Sequence, residues 1–157
     1  MKAATVHEIK KVLASHEYDA VVEFCMRLAR FKKENKELLT YLLFEAEDEP
    51  GYVEQVKAEI DDQFSALPKG NLYYVKKSLR KILRMTNKQI RYSGMRLSEV
   101  ELRIHFCTHV KNSGIRLDKS PVLLNLYQQQ LRKIHLALAK LPEDTQFDYL
   151  RAVESLS

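Results

Sequence analysis

Turn-forming residues are scarce in this chain, with four glycines and four prolines among 157 residues. An all-β domain needs Gly- and Pro-rich turns at short intervals, so their scarcity points to helices. Cysteine is equally sparse. Cys25 and Cys107 cannot build the disulfide framework of a small secreted domain. Each lies in an apolar helical stretch, VVEFCMRLA and LRIHFCTHV, which predicts two buried thiols in a reducing compartment. No apolar run approaches the roughly 18 residues that a transmembrane helix requires. The N-terminal stretch MKAATVHEIKKVL turns polar before a signal-peptide core forms, so a cytoplasmic location is expected. Also missing are a Gly-rich phosphate loop, a nucleophile elbow and zinc-ribbon spacing. No enzymatic activity, catalytic residue or cofactor is therefore expected.

The composition that remains, 45% apolar and 30% charged, is that of a folded globular protein. A chain of this length is expected to form one domain that buries about 70% of its extended surface. Apolar periodicity predicts helices from end to end, beginning with residues 5–14 and 17–31. The second places Val21, Phe24, Cys25, Leu28 and Ala29 on one core-facing stripe. A third helix, 35–47, contains the run LLTYLLF, wide enough to be buried on most sides, and ends in Glu45, Glu47, Asp48 and Glu49. Pro50 suits the first turn of a fourth, which buries Val53, Val56, Ile60, Phe64 and Leu67. Asn71 and Gly94 bracket a fifth. Ser98 with Glu101 forms a capping box for a sixth, Ser120-Pro121 opens a seventh, and Asp144 caps a short eighth. The expected architecture is an all-α antiparallel bundle or short irregular α-α superhelix of about seven or eight helices.

Acidic residues are absent from one long segment. Residues 68–98 hold nine Lys/Arg and no Asp or Glu. The formal charge is −5 over residues 1–67, +9 over 68–98 and +1 over 99–157, against +5 for the whole chain. At about 100° per residue, Lys77, Arg80, Lys81, Arg84, Lys88 and Arg91 share roughly a 100° arc of the fifth helix. Tyr73 falls within that arc, and Tyr74 and Tyr92 flank it. The opposite side carries Leu72, Val75, Leu79, Ile82, Leu83, Thr86 and Ile90.

Such a row suits an acidic protein partner, making the chain a non-catalytic interaction or scaffold module. Sequence-nonspecific nucleic-acid binding is the alternative. Six phosphate contacts would give a log K against log[salt] slope of about −4 to −5, with tyrosines stacking on unpaired bases. Membrane headgroups, a plain solvated face, or docking on the chain's own acidic segment or a second copy compete with both.

Glu101, His105 and His109 lie at i, i+4 and i+8 on the sixth helix. Two histidines at i, i+4 form a minimal helical chelate for Zn²⁺, which leaves a metal-dependent helical enzyme as a third and weaker class. One helix cannot bring positions eight apart to one ion, so a third ligand must come from a neighbour such as His135 or Asp144. Cys107 sits about 160–200° round the helix from both histidines, which excludes a Cys–His nucleophile pair there. Asp61 and Asp62 point about 100° apart and, like the acids at 45–49, are expected to be solvated groups serving the helix dipole.

The stretch NKELLTYLLFEAEDEPGYVEQVKAEIDDQF, followed by NLYYVKKSLRKILRMTNKQIRYSG, resembles uncharacterised all-helical bacterial proteins. That resemblance implies an all-α fold and a bacterial source, and brings no activity, cofactor or site residue. A more distant likeness to HEAT-like or tetratricopeptide-like helical pairs is architectural, and fold analogy does not carry function.

Overall fold

A computed structural model describes residues 1–157. It is an all-helical bundle with no strand: α1 (Val6–Leu13), α2 (Tyr18–Phe31), α3 (Lys33–Thr40), α4 (Glu49–Ser65), α5 (Leu72–Ser93), α6 (Arg96–Asn112), α7 (Pro121–Leu138) and α8 (Glu143–Glu154). No helix is long and apolar enough to cross a membrane. The chain divides into two compact units, Met1–Phe44 and Glu45–Ser157.

The first unit holds α1, α2 and α3. Thr5 and Glu8 close a reciprocal capping box on α1, with Thr5 N donating to Glu8 Oε2 at 2.7 Å and Glu8 N to Thr5 Oγ1 at 3.2 Å. α2 packs on α3 across a single extended residue, Lys32, and Asn35 Nδ2 donates to Leu28 O at 2.8 Å. No side chain of α1, α2 or α3 is buried. The expected core stripe on α2 is therefore corrected: Val21 and Ala29 are half-buried, while Phe24, Cys25 and Leu28 are exposed. The LLTYLLF run is corrected as well. The α-helix stops at Thr40 and a π-helical turn follows at Tyr41–Glu45; Tyr41 is buried and Leu39 half-buried, but Leu38, Leu42, Leu43 and Phe44 are exposed. A unit of about 40 residues has little volume to enclose a core, so the apolar face that periodicity marks here is only partly covered, by the packing of α2 on α3.

The second unit contains the core. α6 is its centre and packs against α4, α5 and α7. Ile60, Leu79, Val100, Leu102, Phe106, Cys107 and Ile134 are fully buried. Cys107 is thus the buried thiol of the pair, its ionisation pushed up to about 12 by desolvation. α8 and the last residues close the unit: Val153 and Leu156 are buried, and Tyr127 OH donates to Leu156 O at 2.7 Å.

Polar groups fix the register of these helices. Arg103, 6% exposed, donates from Nε to Glu99 Oε1 at 2.9 Å and from Nη1 to Asn87 Oδ1 and Gln130 Oε1 at 2.9 and 2.7 Å. One guanidinium thereby joins α5, α6 and α7.

The caps only partly follow the expected pattern. Asn71 and Ser120 accept from Tyr73 N and Leu123 N as expected, and Pro121 opens α7. Ser98 does not cap α6. The helix starts at Arg96, directly after Gly94 turns the chain in the left-handed region (φ 65°), and Ser98 is buried and donates to Glu49 Oε1 at 2.5 Å. Nor does Asp144 cap α8, which follows Pro142 with Glu143 and Asp144 already in its first turn.

Candidate functional site

α5 presents the basic face. Its 22 residues span about 33 Å. Val75, Leu79, Ile82, Thr86 and Ile90 are buried on the side that packs on α4 and α6. Leu72 and Leu83, at the edges of the expected stripe, remain partly accessible.

On the opposite side Lys77, Arg80, Lys81, Arg84 and Arg91 are exposed and form no ion pair, and Lys88 is half-buried. Lys77 to Arg91 covers about 21 Å of helix. Tyr73 and Tyr74 stand at the start of this face, 64% and 55% exposed, with ring centroids 5.3 Å apart and edge to face.

The face is not flat. A shallow groove of about 540 Å³ runs along it between Tyr73, Lys76, Lys77, Arg80, Leu83 and Arg84, reaching Asn87. Asn87 also borders a second depression of about 380 Å³, where Arg91, Arg96 and Lys133 gather. Lys76, Arg96 and Lys133 are cations that the single-helix reading did not assign to the surface. Lys76 lies off the 100° arc, and Arg96 and Lys133 come from α6 and α7. Only the packing of α6 and α7 on α5 brings Arg96 and Lys133 to its Arg91 end, whereas Lys76 lies beside Tyr73 near the start of the helix.

The histidine face of α6 is the second cluster. His105 Nε2 and His109 Nε2 lie 2.5 and 2.6 Å from one atom, Asp61 Oδ1 of α4. The three donor atoms are all within 4.8 Å of one another. Phe64 stacks on the His109 ring at 4.7 Å and 19°, and Phe106 backs Phe64 edge-on at 5.6 Å. Desolvation raises the Asp61 pKa, but the hydrogen bonds from the two histidines outweigh it and hold the carboxyl below its usual value of 3.8.

This arrangement corrects two expectations. The neighbouring-helix group is Asp61, one residue past the buried Ile60, and neither His135 nor Asp144 joins the cluster. Glu101 is turned away from it. Its carboxylate accepts from Lys57 Nζ at 3.0 Å and from Tyr149 OH at 2.7 Å, so it anchors α4 and α8 to α6. Among the acids expected to be solvated groups serving the helix dipole, two hold the start of α4. Asp48 caps α4 through Gly51 N at 3.1 Å, and half-buried Glu49 accepts from Ser93 and Ser98.

No family model, curated protein or solved structure matches the chain.

Proposed function

We propose that this protein is a non-catalytic interaction module whose α5 face docks an acidic segment of a protein partner. The observation that carries the proposal is the set of five exposed cations without acidic partners, aligned along one face. Exposed ion pairs contribute about 0–1 kcal/mol each, so five contribute a few kcal/mol. Micromolar affinity requires about 8 kcal/mol, and the remainder falls to apolar and aromatic contact. Tyr73, Tyr74 and Leu83 border the charge and supply such contact, since aromatic side chains carry much of the energy of protein interfaces. Exposed large apolar side chains in the first unit, including Tyr18, Leu28, Phe31 and Phe44, further favour a protein over a nucleic acid.

Fluorescence-anisotropy titration with a labelled Asp/Glu-rich peptide and a single-stranded oligonucleotide tests this reading. Wild type is expected to bind the peptide at micromolar concentration, more weakly as salt rises. Lys77→Glu/Lys81→Glu/Arg84→Glu is expected to lose about tenfold or more in affinity, or ~1.4 kcal/mol, with an unchanged circular-dichroism spectrum. Equal binding by the variant overturns the assignment to α5. Tighter binding to the oligonucleotide than to the peptide replaces the protein partner with nucleic acid.

A further inference from the structure

We infer that Asp61, His105 and His109 form a divalent-metal site of the Zn²⁺ class that clamps α4 to α6. Two imidazole nitrogens from successive turns of α6 and one carboxylate oxygen from α4 point at a common position, with all three donor atoms inside 4.8 Å of one another. Around tetrahedral zinc, bonds of about 2.0–2.2 Å place donor atoms about 3.3–3.5 Å apart. The Nε2–Oδ1 separations of 2.5 and 2.6 Å must therefore open by less than about 1 Å, a movement within reach of a half-exposed aspartate side chain.

The donor set argues for the metal class. Two imidazoles and one carboxylate suit zinc and its transition-metal neighbours, whereas Ca²⁺ and Mg²⁺ take oxygen shells. The surroundings make the set orderly: His109 is held flat by Phe64, which packs on fully buried Phe106. Side-chain exposures of 50% for Asp61, 27% for His105 and 33% for His109 leave the fourth position open to water or to a donor from outside. Three protein ligands with an open position differ from the closed four-ligand shells of structural zinc sites.

Titration of the full-length, tag-free chain with ZnCl₂, followed by calorimetry and thermal unfolding, tests the inference. One equivalent of Zn²⁺ is expected to bind and raise Tm, because a ligand that binds only the native state stabilises it. Mg²⁺ at the same concentration is expected to leave Tm unchanged. Co²⁺ in place of zinc is expected to give visible d–d absorption of a four- or five-coordinate site. Asp61→Ala and His109→Ala are each expected to weaken Zn²⁺ binding about tenfold or more, ~1.4 kcal/mol, and to lose the Co²⁺ band. Circular dichroism checks that the variants are folded, and His135→Ala controls for histidines outside the cluster. Zinc binding that persists undiminished in Asp61→Ala/His109→Ala, or that His135→Ala removes, overturns the site. So does wild type that shows neither heat nor a Tm shift at a hundred micromolar zinc.

Discussion

Arg103→Ala is expected to destabilise the protein by about 3–5 kcal/mol, the cost of removing one partner from a buried charged network. The side chain is 7% exposed and its guanidinium meets Glu99, Asn87 and Gln130 from three helices. Truncation leaves the Glu99 charge, 23% exposed, without its cation and the Gln130 oxygen without a donor in a dry environment. The loss should not be additive. Glu99→Ala in the Arg103→Ala background is expected to cost less than in wild type, giving a coupling of about 0.5–3 kcal/mol in a double-mutant cycle. Urea denaturation measures both quantities. A loss below about 1 kcal/mol would place Arg103 among ordinary surface residues and remove the network as the joint between α5, α6 and α7.

Phe106→Ala carries the second large effect, also about 3–5 kcal/mol. Its ring is fully buried at the centre of the second unit and meets Phe64 edge to face at 5.6 Å. Removing it loses the transfer free energy of the ring and leaves a cavity that the packed helices only partly fill. Phe31→Ala in the first unit is the matched comparison. Phe31 is 76% exposed, so its truncation is expected to change stability by no more than about 0.5 kcal/mol. Thermal or urea unfolding of both variants decides whether stability resides in the second unit. Similar losses for the two phenylalanines would contradict the concentration of the buried core in the second unit.

These two phenylalanines also mark what the sequence reveals and what it leaves out. Alternation at helical spacing identifies apolar faces, and for α5 that was enough. Asn71, the buried stripe, the cationic row and Gly94 at φ 65° all lie where periodicity and capping chemistry put them. For α2 the same spacing marked a face that α3 covers only in part, leaving Phe24, Cys25 and Leu28 exposed, since a helical pattern carries no information about how much protein is available to cover it. Ser98 met the local criteria for a cap, yet Gly94 turns the chain early enough for α6 to begin at Arg96. A cap is chosen by where the preceding turn ends.

The histidine cluster was legible by half. His105 and His109 share a helix face by arithmetic, and the same arithmetic demands a third donor from another helix. Which helix depends on the register of α4 against α6, a relation over 44 and 48 residues of sequence that no local pattern encodes. Asp61 had one local sign, its position beside Ile60 at the margin of the α4 core stripe, where a short polar side chain reaches a neighbouring helix. Glu101 satisfied the i, i−4 spacing to His105 but is drawn away by Lys57 and Tyr149, groups equally remote in sequence. The exposure of the basic row follows from the burial of the other side of α5, whereas its extension to Arg96 and Lys133 needed the packing of α5, α6 and α7.

The interaction role of α5 is tested most directly by mapping backbone amide shifts of the ¹⁵N-labelled protein during titration with the Asp/Glu-rich peptide. The expected result is a contiguous set of perturbed amides along residues 73–91, extending to Arg96 and Lys133 and fading at about 0.5 M salt, where screening reaches within a few ångströms. Perturbations confined to other helices, or none along α5 at low salt, would contradict it.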